Sequence, residues 1–208
     1  MDWIMVIFVG YLIGCFHGSQ VAGFLKKTDL KESGVKNAGA SNATIVLGWK
    51  YGVLVALIDI GKGILSVLLI RLLFSNVESH EIFLSLLFVN AVSVIIGHIF
   101  PFHMQFRGGK GTATIVGVLI VLDWRIALIS ISLLLIVTFA TDYLVIGVSV
   151  MYASFFILTL VFSYPVIPLI CVAGIWMIST IKHIENYARL RKQEETRLSS
   201  LLNKKKAS

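Results

Sequence analysis

Charge is scarce in this chain. Asp, Glu, Lys and Arg make up 14% of its 208 residues and hydrophobic residues 57%, against about 25% and about 45–50% in ordinary soluble domains. A water-soluble globular domain is thereby excluded. Cysteine is nearly absent too: Cys15 and Cys171 sit in separate apolar runs with no close partner, which argues against a disulfide framework or a cysteine metal site. No basic segment precedes the first apolar run, which opens Met1-Asp2-Trp3, so that run is expected to persist as an anchor and not as a cleaved signal. The net charge of +7 comes without a recognisable nucleic-acid module. Its basic residues hug the ends of apolar runs, where topology and anionic lipid headgroups account for them.

What is present is a series of runs long enough to cross about 30 Å of hydrocarbon, roughly 20 helical residues each. They read as Trp3–Leu25, Tyr51–Phe74, Ile82–Phe102, Gly111–Leu122, Ile126–Ala140, Leu144–Phe162 and Val166–Ile181, seven in all. The expected fold is therefore all-α, a polytopic membrane helix bundle. The fourth and fifth runs are short and are alternatively a re-entrant pair, which leaves the parity unchanged. Residues 1–186 form one integral membrane domain, and residues 187–208 a basic tail.

Lys and Arg concentrate in cytoplasmic loops. Of the 18 here, 15 lie in Lys26–Lys50, Arg107–Lys110 and Lys182–Lys206, whereas Ser75–Glu81 and Ser163–Pro165 carry none. This predicts an outside N-terminus and a cytoplasmic C-terminus. Trp3, Trp49 and Trp124 at run ends suit the interface.

The same parity puts three polar clusters, in loops 32–46, 106–114 and 182–186, on the cytoplasmic face. "FRGGKGTAT", Phe106–Thr114, combines glycines whose amides can approach a phosphate, a helix start at Gly111 and the charge of Lys110. Its glycine spacing is not that of a Walker A loop, and a tight membrane turn with a topology-setting cation is the plain alternative. Asp59 and Lys62, at i,i+3, share a helix face inside a run, either as a mutually neutralising pair or with Lys62 facing a ligand. His183 and Asn186 are also i,i+3 and can both donate hydrogen bonds to a phosphate oxygen. "GKG" recurs at Gly61–Gly63 and Gly109–Gly111, too short to mark a repeat.

Taken in order, "YLIG", "GVKNAGASN", "DIGKG", "GHIFPFHMQFRGGKGTAT" and "HIEN" with the following "RL" resemble the PlsY-type acyl-phosphate:glycerol-3-phosphate acyltransferases over essentially the whole chain. The resemblance implies a multi-pass enzyme of the bacterial plasma membrane with its site at the cytoplasmic face. Such an enzyme transfers a fatty acyl group from acyl phosphate to glycerol 3-phosphate, giving lysophosphatidic acid for phospholipid synthesis, with no cofactor, no metal and no acyl-enzyme. It further implies acyl-phosphate binding at Gly108, Gly109, Lys110, Gly111 and Ser41, and glycerol-phosphate binding at Asn37, Asn42, Lys62, His183 and Asn186. Gly39 and Ala40 match the first motif as well.

Acyl phosphate is an activated anhydride, so alignment and charge stabilisation carry much of the task. No general base or nucleophile is evident. The H-x-x-x-x-D pairing of another acyltransferase class is missing, since the fifth residues after His17, His80, His98, His103 and His183 are Ala22, Ser85, His103, Gly108 and Ala188.

The chain departs from the family pattern in places. The usual first-motif Ser, Gly, Thr and Arg are here Val35, Lys36, Ser41 and Ile45. An upstream G-S-x-P reads Gly14-Cys15-Phe16-His17, and the Arg after the third-motif His is Ile184. Val35 and Ile45 replace a hydroxyl and a guanidinium with hydrocarbon, and Lys36 cannot reproduce a bidentate fork. The departures predict a weakened acceptor pocket and leave two alternatives: acyl transfer to another acceptor or acyl-phosphate hydrolysis, and a non-catalytic protein that binds acyl phosphate or anionic lipid.

Overall fold

The computed structural model describes residues 2–204, with side chains to residue 201. The final residues of the basic tail, 205–208, lie outside the described residues. The chain is helical: α1 (Asp2–Cys15), α2 (Gly18–Lys26), α3 (Ala40–Leu47), α4 (Trp49–Leu73), α5 (His80–Ile99), α6 (Thr112–Leu122), α7 (Trp124–Thr141), α8 (Leu144–Val161), α9 (Val166–Lys182), α10 (Ile184–Arg191) and α11 (Leu198–Lys204).

Each of the seven expected runs has its helix. Five stretches are long and apolar enough to cross a membrane, and α9 with α10, bent by 49°, gives up to six. The exception is α6: its 11 residues extend about 16 Å at 1.5 Å each. It begins level with the middle of α4, where a methyl on Gly63 would collide with the carbonyl of Thr114. At its other end Arg71 of α4 donates through Nη2 to the carbonyls of Val121 (2.9 Å) and Leu122 (3.2 Å). A charged side chain inside a span is thus used to satisfy carbonyls that a helix end leaves open.

The first run departs from expectation by being broken, with Phe16 and His17 separating α1 from α2. Unwound backbone at membrane depth needs internal partners. Lys62 of α4 supplies them, donating from Nζ to the carbonyls of Gly14 (2.9 Å) and Phe16 (2.6 Å).

Small residues bring the helices together. A methyl at Gly14 of α1 would strike Val94 O of α5, and one at Gly117 of α6 would strike Ile60 O of α4. Such close backbone approach replaces the hydrophobic drive that lipid removes between membrane helices. The core between them includes Phe88, Ile95, Ile115, Leu119, Met151, Tyr152 and Phe155, all at most 1% exposed.

Polar contacts divide the bundle into two ends. At one end Asp123, before α7, accepts from the Tyr164 hydroxyl in the α8–α9 turn at 2.7 Å. At the other lie the three polar loops.

Candidate functional site

The structure brings the three loops together. Arg107 pairs with Glu32 at 3.3 Å across the exposed rim. Gly109 packs so close to the first loop that an added methyl would lie 3.1 Å from Ala38 O. Lys110 Nζ donates to Asn186 Oδ1. Behind Asn186 stands a residue the sequence did not single out: Glu195 accepts from Asn186 Nδ2 at 2.7 Å and from Arg189 Nε at 2.8 Å. Within a tail read only as basic, an acid nine residues after Asn186 among many bases was the one hint of it.

The glycine loop is built differently from a simple amide cradle. Gly108 N donates to Ile99 O (3.1 Å) and Gly109 N to His98 O (3.2 Å), closing the C-terminal end of α5. Added methyl groups would collide with His98 O at Gly108 and with His98 Nε2 at Gly109. These glycines therefore allow close packing, and their amides are already engaged. Gly111, at φ +83°, takes a left-handed conformation that glycine adopts without strain. It turns the chain into α6, whose first-turn N–H groups have no intrahelical partners and carry the positive end of the helix dipole. The groups at this turn suited to meet an anion are thus Lys110 and that first turn.

Lys110 is half-buried. Burial pulls its ammonium down to about 8, helped by Arg189 and Lys182 and opposed by Glu195 and Glu185. His183, buried at the α9–α10 junction, donates from Nδ1 to Ser179 O at 2.8 Å. Because a carbonyl only accepts, this contact sets the tautomer and leaves Nε2 for other partners.

Two other expected ligands are fully occupied. Asn42, fully buried in the first turn of α3, accepts at Oδ1 from Val35 N (2.9 Å). Its Nδ2 donates to the carbonyls of Leu30, Ser33 and Asn37 at 2.8–3.0 Å. It organises the loop from within, below Asn37 and Ser41, which are half-buried. Lys62, 4% exposed, spends its three donors on Gly14 O, Phe16 O and Asp59 Oδ1 (3.2 Å). Of the first-motif departures, Val35 is exposed and Ile45 half-buried.

Beneath the glycine loop lies a buried polar cluster. His98 Nδ1 is 3.1 Å from Thr114 Oγ1 and 3.8 Å from Asp59 Oδ1, and the His17 ring lies 4.6 Å from that of His98. Asp59 also accepts from Gly18 N at 3.3 Å. Ligand atoms of His17, Asp59 and His98 fall within 4.8 Å of one another, a spacing compatible with a metal ion. Lys62, however, already gives Asp59 its positive partner, and a divalent ion would meet that ammonium at close range in a low-dielectric interior. The donor set fits a lysine better than a metal.

Comparison with known proteins places the chain in a family. The family model of glycerol-3-phosphate acyltransferase matches residues 4–193. Glycerol-3-phosphate acyltransferase 1 of Oceanobacillus iheyensis is 49% identical over 209 residues, covering 99% of each chain. A glycerol-3-phosphate acyltransferase of Coxiella burnetii is 37% identical over 204 residues, covering 95% of this chain and 99% of its own. The glycerol 3-phosphate form of PlsY, an integral membrane glycerol 3-phosphate acyltransferase, superposes with a TM-score of 0.85 at 31% identity, over 95% of this chain and 96% of that one. The lysophosphatidic acid form of PlsY gives 0.82 at 30% identity, over 95% of each chain. By sequence over nearly its full length and by the arrangement of its helices, the chain belongs to the glycerol-3-phosphate acyltransferase family.

Proposed function

We propose that this protein transfers a fatty acyl group from acyl phosphate to glycerol 3-phosphate, forming lysophosphatidic acid at the cytoplasmic face of a bacterial plasma membrane. One observation carries the reading of the site: Lys110 stands beside the open first turn of α6, tied through Asn186 to Glu195 and Arg189. A cation and a helix N-terminus together suit a phosphate dianion. Asn37, Ser41, His183 and Asn186 line the approach for the acceptor. Gly108, Gly109, Asn42 and Lys62 act indirectly: the first two pack the loop on α5, Asn42 shapes loop 32–46, and Lys62 pins the break between α1 and α2.

No residue is assigned as a nucleophile. The acceptor hydroxyl attacks the acyl carbonyl, the carbonyl–phosphate bond breaks, phosphate leaves, and the hydroxyl proton passes to solvent or to the departing phosphate. The protein aligns the two substrates and offsets developing negative charge. The basic loops favour a cytoplasmic position for this end of the bundle, and the apolar outer faces of the helices suit lateral access of the acyl donor from lipid.

Purified protein incubated with labelled acyl phosphate tests the reading. Acceptor-dependent lysophosphatidic acid is expected. Phosphate release without that product would favour hydrolysis or a different acceptor, the alternative raised by Val35 and Ile45. Saturable donor binding without either product would make the protein a binder.

A further inference from the structure

The tail beyond α10 is fastened at a second point, far from the phosphate site in sequence. Asp142 occupies the turn between α7 and α8 in a left-handed conformation, φ +66°. Its Oδ1 accepts from Ser199 N (2.7 Å), its Oδ2 from Ser199 Oγ (2.6 Å), and its carbonyl from Leu198 N (2.9 Å). The Arg197 guanidinium lies over the adjoining Tyr143 ring, 6.0 Å from its centroid. Between this clamp and α10 the chain turns back at Gln193, φ +60°, and presents the Glu195 carboxylate to Asn186 and Arg189. Only three residues lie between Glu195, which reaches the site, and Ser199, whose backbone and hydroxyl are clamped.

That spacing matters because Lys192–Arg197 is not helical. A non-helical segment holding one carboxylate in place loses conformational entropy for every residue it orders. Fixing its far end removes much of that cost, as shortening a loop does.

We propose that Asp142 is a positioning residue for the phosphate pocket: by clamping Ser199 and Leu198 it holds the Glu195 segment against Asn186 and Arg189, and so keeps Lys110 aimed. The inference rests on the reading of Lys110 given above. Asp142 itself touches no substrate. Its effect is exerted through Glu195 on the readiness of the pocket to receive a phosphate.

The test is steady-state kinetics of the full-length protein with acyl phosphate and glycerol 3-phosphate. Asp142→Ala removes the side-chain half of the clamp and should raise the KM for acyl phosphate by about five- to thirtyfold, less than the roughly 10- to 150-fold of losing a whole charge-assisted contact. The change in kcat should be smaller and the thermal midpoint unaltered. Asp142→Asn, which keeps one acceptor for Ser199, should fall between Ala and the parent. In a Glu195→Gln background, Asp142→Ala should add little, because both act on one chain of contacts.

The groups facing Lys110 are Arg189 and Glu185 of α10, Lys182 of α9, Glu195 of the tail and the neighbouring His183. Of these Glu195 favours the charged ammonium, so releasing it should move the alkaline limb of the pH profile to lower pH. An unchanged KM in Asp142→Ala, or losses that simply multiply with those of Glu195→Gln, overturns the clamp. Lys110→Ala separates the two readings. If it is damaging and Asp142→Ala silent, the clamp alone fails; if Lys110→Ala is itself silent, the site reading fails and the clamp with it.

Discussion

Single side chains divide into those that can meet a ligand and those already committed. Lys110 is the clearest of the first kind. Its ammonium titrates near 8, so it is mostly charged at neutral pH and loses its charge as pH rises through that value. A bound phosphate stabilises the charged form, so acyl phosphate binding should weaken above about pH 8, and Lys110→Arg should push that limb to higher pH. Lys62 is of the second kind. Lys62→Ala would leave Asp59 buried without its cation, and breaking such a pair costs about 3–5 kcal/mol. It should therefore lower the thermal midpoint in detergent, with Lys62→Ala/Asp59→Asn recovering part of the loss. A raised KM at unchanged stability would instead place Lys62 on the phosphate. Neither outcome is predictable from spacing, because i,i+3 only says that Asp59 and Lys62 share a face. The carbonyls of Gly14 and Phe16, 48 and 46 residues away, are visible only once the break in the first span is seen.

Among elements, the glycine turn and α6 set the chemistry. The run of glycines was legible as a tight turn next to a cation. The sequence did not reveal where its amides point, since His98 and Ile99 take the first two. Gly109→Ala should show this: its methyl would collide with His98 Nε2 and crowd Ala38 O, and such overpacking typically costs 1–3 kcal/mol. We expect both a lowered melting midpoint and reduced kcat/KM, because the loop that carries Lys110 must shift; a drop in affinity with full stability would return Gly109 to the phosphate. The shortness of α6 follows the same logic. Its apolar run was read correctly, but only packing against α4 shows that it starts at the level of Gly63 and ends where Arg71 caps it. Glu195 stayed hidden for a different reason: a short charged tail looks solvated until Asp142 and Asn186 are seen to hold it.

At the scale of the whole molecule, hydrophobic runs and the placement of basic residues made the helix bundle and the gathering of three loops at one end readable in advance. Loop-to-loop contacts such as Glu32–Arg107 and Lys110–Asn186 are long-range pairings that no local pattern encodes. The proposed orientation predicts that a cysteine introduced at Ser75 or Ser163 is labelled by an impermeant thiol reagent in intact cells, and one at Ser199 only after permeabilisation. The reverse pattern would invert the bundle. Val35 and Ile45 bear on the molecule's overall competence: if they weaken the acceptor pocket, Val35→Ser with Ile45→Arg should lower the KM for glycerol 3-phosphate. The most direct measurement compares the parent protein and Lys110→Ala for acceptor-dependent lysophosphatidic acid formed from acyl phosphate. The parent should form it, and Lys110→Ala should lose about 10- to 150-fold in kcat/KM, as expected for one charge-assisted phosphate contact, with its thermal midpoint retained. Equal kcat/KM in the two proteins would contradict the site.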